Sequence, residues 1–541
     1  MNASHSSLKT DLPLLAIFAG VVVLAYSNIY SNVFLYDDAF LIINNIFLQD
    51  SAYLPLLFEK NIGAGNYLVT GYYRPLQLLI YWVVNHLAGL QSAAFHVPNV
   101  ILHIGNAYLL YGVGRKLNFQ RLPLFFATLI WAVHPIHVES ITYMSATADP
   151  LYSFFCLLGA YLLLPDFSPR RLAWASLCLV LALLSKEAAI AFPILAGSLL
   201  YFSSDNRFQW KTYLRLWPLV AIVVAYIVLR FIPHTDAPKG PPSSAIPPLA
   251  LHGLSPYVGL PVYLRLTLWP FNLYMNHALS ATGLLWLAQL FMGVAMALGS
   301  FFQVWKKQSY KTLPLSWALL WFFGAFFPVL HVGTIVYEHW MYLPLAGIFI
   351  GATETAFRKY EKYLSPQKSK FIAVASFFLI AGLGTLTWRQ NRIWANPEIF
   401  YRNIFASGDP SPGAHINLGG YYSSKKDYAA AFEQYRLADE DIVRSKDFFT
   451  PNGKAVLFSN FAGTLFGSTD DPEKHKLALV SLEKALQIDP NLLIAIDKLA
   501  EYYEKQNDME RAQTYRKREA ELKRQFGHYE GPPVFPEGAT K

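Results

Sequence analysis

Eleven long apolar runs, separated by short polar loops, limit what this chain can fold into. A helix needs about 20 apolar residues to cross the hydrocarbon core of a bilayer. Only 15% of the 541 residues are charged, whereas soluble domains average about 25%. The sequence therefore predicts an all-α, polytopic membrane helical bundle of about eleven spans. The runs lie near residues 13–33, 96–113, 122–138, 149–165, 171–185, 187–202, 213–232, 283–303, 313–331, 340–355 and 369–388.

Basic loops orient these spans, because Lys and Arg concentrate in short cytoplasmic loops. We expect the N-terminus inside and everything after Trp388 outside. Segments 75–90 and 257–270 would break the alternation as spans, so they are predicted to be interfacial or re-entrant on the outer face. The basic sets assigned to the cytoplasm are Arg115-Lys116, Arg170-Arg171, Arg207-Lys211-Arg215, Lys306-Lys307-Lys311 and Arg358 through Lys370.

A repeat pattern begins where the apolar runs stop. Small residues and aromatics recur at the offsets of the tetratricopeptide consensus, which predicts stacked helix pairs in an α-solenoid that binds extended peptides. The predicted domains are a membrane domain at 1–390, a linker at 391–412, about three repeats at 413–525 and a tail at 526–541. The pattern consists of Leu418-Gly419, Tyr422, Ala431, Tyr435 and Ala438, then Ala478, Leu482 and Ala485, then Leu499-Ala500, Tyr503 and Ala512.

Ionisable residues gather in the loops assigned to the outer face. Such groups are costly close to hydrocarbon and usually mark a site, so one pocket at the outer membrane boundary is predicted. Its candidate residues are Asp37, Asp38, Arg74, His134, His137, Glu139, Asp149, Lys186, Glu187, His277, His331, Glu338 and His339.

Asp37 and Asp38 are the candidate catalytic pair. Burial and a like-charged neighbour raise the pKa of a carboxyl group and make it a better base, so one is expected to be the base and the other its orienter. Two loop acids capping a short helix are the alternative.

Arg74 and Lys186 suit a phosphate, the first as a bidentate fork and the second as a point charge. The alternatives are a snorkelling arginine and a simple pair of Lys186 with Glu187.

His134, His137 and Glu139 form an H-x-x-H-x-E cluster. It can ligate a metal, but Pro135 indicates a turn and no further ligand spacing is present, so a metal is not favoured. Hydrogen bonding to sugar or phosphate is the alternative, with Glu139 as a second acid.

Seven short motifs, in order, resemble the family of transmembrane and tetratricopeptide-containing O-mannosyltransferases. That family belongs to the GT-C class of glycosyltransferases. The resemblance implies a GT-C-type fold, a polyprenyl-phosphate-linked sugar as donor, and the Asp37-Asp38 pair at the catalytic centre. The motifs are Phe34-Leu-Tyr-Asp37-Asp38, Tyr73-Arg-Pro-Leu76, His96-x-x-Asn99-x-x-x-His103, His134-Pro-Ile-His-Val-Glu139, Ala148-Asp149, Leu184-Ser-Lys-Glu187 and Tyr342-Leu-Pro344.

Two positions depart from the family pattern. Thr147 stands where a basic residue usually precedes Ala-Asp, and His339 stands where an Arg usually follows the Glu of the late loop. Both family residues can pair with phosphate, so the departures predict a donor that is held differently or carries a different sugar. We expect His339 to bind the donor phosphate with Arg74 and Lys186.

The predicted function is transfer of a sugar from a polyprenyl phosphate to an extracytoplasmic acceptor, most naturally Ser or Thr hydroxyls of proteins gathered by the repeats. A non-catalytic membrane-anchored scaffold and a transferase acting on glycolipid or polysaccharide are the alternatives. No cofactor is firmly implied, and no basic tract indicates nucleic-acid binding.

The sole N-glycan acceptor pattern, Asn2-Ala-Ser4, lies on the side predicted to be cytoplasmic. This favours a bacterial inner membrane with periplasmic repeats over the endoplasmic reticulum.

Overall fold

The computed structural model describes residues 12–68, 70–231, 249–275, 277–278, 284–306, 309–329, 335–408, 411–444 and 451–525. His331, Lys307, Asn2 and the predicted tail at 526–541 lie outside the described residues. The chain divides into two compact units. One takes residues 1–44, 71–233 and 246–409, and the other takes residues 45–70, 234–245 and 410–541.

The described part of the chain is helical apart from one two-residue strand pair. In the first unit the helices are α1 (Leu12–Ala25), α3 (Pro75–Ala88), α4 (Ser92–Lys116), α5 (Arg121–Ala132), α6 (Val138–Thr142), α7 (Ala148–Leu163), α8 (Pro169–Leu183), α9 (Phe192–Ser203), α10 (Trp210–Tyr213), α11 (Trp217–Phe231), α12 (Leu249–Leu268), α13 (Leu284–Trp305), α14 (Leu313–Phe326), α15 (Tyr342–Tyr360), α16 (Pro366–Asn391) and α17 (Pro397–Phe405). In the second unit they are α2 (Leu56–Glu59), α18 (Pro412–Ser424), α19 (Tyr428–Arg444), α20 (Pro451–Ser468), α21 (Pro472–Ile488), α22 (Leu493–Lys505) and α23 (Met509–Gln525). The strands β1 (His277–Ala278) and β2 (Ile335–Val336) pair antiparallel.

Four described helical segments are long and apolar enough to cross a membrane. They are Met144–Leu163, Trp210–Arg230, Leu284–Trp305 and Pro366–Ala395. A fifth crossing is possible for the pair Arg121–Ala132 and Pro135–Thr142, which is bent by 50°. The bend occurs at Pro135, where the sequence predicts a turn. The chain is therefore an integral membrane protein, as predicted, whereas eleven crossings stay a prediction.

Buried hydrogen bonds connect three helices of the first unit on the side that carries Asp37. Asn391, at the end of α16, donates from its side chain to the Ala25 carbonyl at 3.0 Å and to the Asn28 side chain at 2.9 Å. Its own amide oxygen accepts from the Thr142 hydroxyl at 2.8 Å. One buried side chain thus holds the ends of α1, α6 and α16 in register, because a buried amide left without partners is costly.

The second unit contains three successive helix pairs, α18 with α19, α20 with α21 and α22 with α23. Most positions that the repeat pattern assigns to helix contacts are buried, among them Ala431, Ala478 and Ala500, each at 0% exposure. Tyr422 and Tyr503 are partly buried. The interval predicted as a linker carries α17. The unit also includes residues 45–70, which the sequence does not connect with the repeats. Within it, the Lys523 ammonium lies 5.5 Å from the centre of the Tyr67 ring.

Gly419 permits the close crossing of α18 and α19. A Cβ atom there would lie 2.4 Å from the Tyr435 ring, whereas one on Gly420 would meet nothing within 4 Å. We expect Gly419→Ala to lower the free energy of unfolding by about 1–3 kcal/mol through overpacking. The matched Gly420→Ala is expected to be neutral or to stabilise by up to about 1 kcal/mol. The measurement is the denaturant concentration at which a protease pulse cleaves within 411–525 of the full-length protein. Equal losses in both variants would contradict this account.

Candidate active site

The two aspartates lie on a strained turn that follows α1. Tyr36, immediately before them, has φ of 54°, a left-handed conformation that costs a residue with a side chain about 1–2 kcal/mol. Such strain persists only where the surroundings impose it, and it concentrates at functional sites. A short helical turn, Ala39–Ile43, begins directly after Asp38, yet the Asp38 side chain makes no capping hydrogen bond to it. Helix capping therefore does not account for Asp38.

Asp38 is buried at 1% exposure, and its carboxylate is fully occupied. One oxygen accepts from the Leu35 backbone N–H at 2.9 Å. The other accepts from the Ser145 backbone N–H at 2.9 Å and from the Ser145 hydroxyl. Burial raises the pKa of Asp38 to about 7, against the lowering effect of these donors. A carboxylate with this many fixed partners suits the orienting role.

Asp37 is half-buried and has fewer bonds. Its backbone N–H donates to the Tyr143 hydroxyl at 3.0 Å, and that hydroxyl also bonds the Asp37 carboxylate. Burial raises the pKa of Asp37 to about 6, while Tyr143, Arg74 and His339 act in the opposite direction. Arg74 and His339 therefore lie within electrostatic range of this carboxylate. Of the two acids, Asp37 is the one available to an incoming group.

The turn of residues 143–145 holds both aspartates and is itself fixed by three side chains. The Asn99 amide donates to the Ile141 and Tyr143 carbonyls, each at 3.2 Å. Gln77 donates to the Ser145 carbonyl at 2.7 Å, and the Tyr81 hydroxyl donates to the Met144 carbonyl at 2.8 Å.

Thr147, which departs from the family pattern, serves the same scaffold. Its hydroxyl donates to the Asn99 side-chain oxygen at 2.6 Å and lies 2.8 Å from the Met144 carbonyl. The residue thus supports the 143–145 turn through Asn99.

Both cations predicted to bind phosphate are already paired with acids. Arg74 forms a two-pronged contact with Glu187, with Nη2–Oε1 at 2.6 Å and Nε–Oε2 at 3.0 Å. The Lys186 ammonium lies 2.6 Å from Asp149 Oδ1, and both side chains are largely buried. The alternative in which Lys186 simply pairs with Glu187 is wrong, because Glu187 pairs with Arg74. The four residues form a neutral network of two positive and two negative charges.

Two further acids each bind a histidine. Glu139 lies 2.7 Å from His339 Nδ1 and also accepts the His339 backbone N–H at 2.9 Å. Glu338 lies 2.8 Å from His277 Nε2 and accepts the Tyr274 backbone N–H at 2.8 Å. Burial and the nearby Glu139 raise the pKa of Glu338 well above its usual range.

His134 and His137 are not part of this arrangement. His134 Nε2 bonds the Thr267 carbonyl at 3.0 Å. The His137 ring packs against Trp131 and Tyr342, and its nitrogens have no hydrogen-bond partner among the described residues. In the described ranges, no three His, Cys, Asp or Glu side chains are grouped as metal ligands would be. Whether a metal takes part stays a prediction.

Tyr143 and Ser145 are site residues that the sequence reasoning missed. Both lie just after the H-x-x-H-x-E cluster and just before Ala148-Asp149. Their position could have indicated a role in the site, because they are polar residues that lie between two motifs assigned to it.

Comparison with known proteins agrees with the motifs. No protein-family model matches the chain. Human protein O-mannosyl-transferase TMTC1 is 25% identical over 484 residues, which is 78% of this chain and 54% of that protein. Mouse protein O-mannosyl-transferase TMTC4 is 23% identical over 482 residues, covering 77% of this chain and 65% of that protein. This chain is similar to the TMTC proteins, as its motifs predict. It spans about half the length of human TMTC1.

A more local likeness and two solved structures complete the comparison. Drosophila melanogaster Tmtc1, also named a protein O-mannosyl-transferase, is 32% identical over 199 residues, 35% of this chain and 22% of that protein. The crystal structure of the apo Archaeoglobus fulgidus oligosaccharyltransferase has a TM-score of 0.38 at 15% identity and covers 72% of this chain and 57% of that chain. AglB from the same organism, in complex with an inhibitory peptide and a dolichol-phosphate, has a TM-score of 0.26 at 12% identity. It covers 98% of this chain and 57% of that chain. These two scores are too low to support an argument, so the GT-C-type fold stays a prediction.

The hydrogen bonds from Ser145 to Asp38 give the first test of the site. Ser145→Ala leaves a buried carboxylate short of one donor, so we expect a loss of about 1.5–3 kcal/mol in the free energy of unfolding. Ser140 is the matched control, since its buried hydroxyl has no hydrogen-bond partner among the described residues. Ser140→Ala is expected to stay within about 0.5 kcal/mol of wild type. Thermal unfolding of the purified protein compares the two, and a larger loss in Ser140→Ala would contradict the assignment.

Proposed function

We propose that the chain is an inverting glycosyltransferase of the membrane. It moves a sugar from a polyprenyl-phosphate carrier to the hydroxyl of Ser or Thr in an extracytoplasmic protein. The observation that carries the proposal is the setting of Asp37, a half-buried carboxyl with raised pKa, bonded by Tyr143 and within range of Arg74 and His339. A non-catalytic scaffold has no use for such a group. The names of the TMTC relatives support protein O-mannosylation as the reaction class.

In the proposed reaction Asp37 acts as the general base. It takes the proton of the acceptor hydroxyl while that oxygen forms a bond to the anomeric carbon of the sugar. The bond from the anomeric carbon to the phosphate oxygen breaks, and its electron pair leaves with the polyprenyl phosphate. A single displacement from the opposite face inverts the anomeric configuration. A base with a pKa of about 6 is largely ionised at neutral pH and still accepts a proton well.

Asp38 and the acid–histidine pairs hold the site in shape. Asp38 positions its neighbour by fixing the turn of residues 143–145. The Arg74–Glu187 contact keeps the guanidinium near Asp37, where it stabilises the negative charge of both the base and the departing phosphate. We assign His339, bonded to Glu139, to the same region, since it too acts on Asp37. We keep Lys186, paired with Asp149, as a further residue that binds the donor phosphate. Asp149, Glu187 and Glu338 are assigned supporting roles.

The remaining parts of the proposal concern the membrane arrangement and the acceptor. Each of the eleven predicted spans contains a helix, so we propose that all eleven cross and form a bundle of GT-C type. We propose that α18–α23 form a tetratricopeptide solenoid outside the cytoplasm that gathers the acceptor protein. A bacterial inner membrane is the proposed location, with the endoplasmic reticulum as alternative.

Replacing the base tests the reaction directly. We expect Asp37→Asn to lower the transfer rate from a polyprenyl-phosphate sugar at least about 100-fold, because no carboxylate is then present to take the proton of the acceptor hydroxyl. Asp205→Asn is the matched control, because Asp205 is an exposed loop residue, and it should leave the rate unchanged. The assay follows radiolabelled sugar from the lipid to peptide in purified protein. Full activity of Asp37→Asn would remove the catalytic assignment.

The pH dependence gives a second test. The base works only when ionised, so the rate is expected to rise with pH through about 6, the pKa of Asp37, and to fall below it. The Tyr143 hydroxyl stabilises the ionised carboxylate, so Tyr143→Phe is expected to move the inflection to higher pH. Tyr360→Phe, at an exposed ring, should leave it in place. Rate profiles from pH 4.5 to 8.5 decide the matter, and an unmoved inflection in Tyr143→Phe would contradict the role of Tyr143.

A further inference from the structure

The neutral network around Arg74 leaves a gap in the proposed function. A departing phosphate needs net positive charge nearby, but Arg74 and Lys186 are matched by Glu187 and Asp149. A cation with no carboxylate partner is therefore required, and the sequence motifs do not supply one. Arg230, the penultimate residue of α11, meets this requirement.

Arg230 is exposed and has no acidic partner among the described residues. Its guanidinium donates to the Gly71 carbonyl and lies 6.0 Å from the centre of the Tyr73 ring. Gly71 lies three residues before Arg74, and Tyr73 lies directly before it. The contact with a carbonyl fixes the guanidinium beside the site, and no acid of the described residues neutralises its charge.

Tyr226 supplies a second, independent observation. It precedes Arg230 by four residues on α11, so both side chains lie on one face of the helix. Its hydroxyl is buried without a hydrogen-bond partner among the described residues. The groups within electrostatic range of this hydroxyl are Arg230, Glu187, Arg74 and Tyr73. An unused hydroxyl among these charged groups is suited to bond an anionic oxygen.

The outer surface of α11 is suited to an apolar chain. Val220, Val224 and Val228 recur every fourth residue and are 49%, 54% and 53% exposed. They form an apolar stripe. Val228 is two residues from Arg230, so this stripe lies on the other face of the helix from Arg230 and Tyr226. Ile227, which precedes Arg230 by three residues and neighbours it on the helix surface, is also 38% exposed. A lipid whose hydrocarbon lies over Ile227 would present its head group at the guanidinium.

We propose that Arg230 and Tyr226 bind the phosphate of a prenyl-phosphate lipid, with the prenyl chain over the exposed Ile227 of α11. Arg230 contributes the net charge and Tyr226 a neutral hydrogen bond. Arg74, held by Glu187, then orients the group. This inference rests on the proposed function and names the residues that hold its donor.

Binding of farnesyl phosphate to the purified full-length protein in nanodiscs tests the proposal by calorimetry. We expect Arg230→Gln to weaken binding at least about 10-fold and Tyr226→Phe to weaken it about 2- to 10-fold. Arg215→Gln is the matched control, because Arg215 is exposed near the opposite end of the same apolar segment. It should bind as wild type does. Farnesol, which lacks the phosphate, should bind equally to all four proteins, and inorganic phosphate should compete at least about 10-fold less well than farnesyl phosphate.

The outcomes separate this inference from the proposed function. Unchanged farnesyl phosphate binding in Arg230→Gln, or an equal loss in Arg215→Gln, would overturn the assignment. Inorganic phosphate that competes as well as farnesyl phosphate would overturn the lipid part of it. Failure of the proposed function shows differently, as absence of sugar transfer by the wild-type protein. Asp37→Asn should still bind farnesyl phosphate.

Discussion

The hydrogen bonds between residues 143–145 and the two aspartates are the interaction on which the rest of the site depends. The Tyr143 hydroxyl bonds Asp37, and the backbone and hydroxyl of Ser145 bond Asp38. Because the donors are two residues apart on one rigid turn, both acids are fixed at once. Adjacent side chains thereby acquire different environments, one closed and one reachable, and different roles follow from environment rather than from residue type.

Arg74 and Lys186 are each matched by an acid before any substrate arrives. Arg74 lies 2.6 Å from Glu187, and Lys186 lies 2.6 Å from Asp149, at the closest atoms. Ion pairs of this kind, in a largely buried setting, contribute little to net stability, since desolvation offsets their attraction. Their effect is geometric, because they hold long side chains in one place. The additional positive charge that we propose for the phosphate therefore comes from Arg230, a residue outside the network.

The helices could be predicted from the sequence because each depends on local pattern. Each apolar run contains a helix, and the small residues of the repeat pattern, such as Gly419 against Tyr435, lie at helix crossings. The gathering of Asp37, Arg74 and His339 was also predictable, because the predicted topology places all three on one side of the membrane. The choice of partners was not. Lys186 has Glu187 as its chain neighbour and pairs with Asp149, and His134 leaves the site for a carbonyl on α12. Such choices of partner depend on tertiary packing between distant helices. The spacing of residues along the chain does not reveal that packing.

The crossed pairing of Arg74, Glu187, Lys186 and Asp149 restricts how this site can change in evolution. Losing one member strands its partner as an isolated charge in a poorly hydrated place, which is far more harmful than losing both. Acceptable substitutions should therefore arrive two at a time, Arg74 with Glu187 and Lys186 with Asp149. The pairs join three segments that are distant in sequence, so a substitution in one segment is compensated by a substitution in another. A lineage that recognises a new donor has more freedom at isolated positions such as Arg230 than within the four.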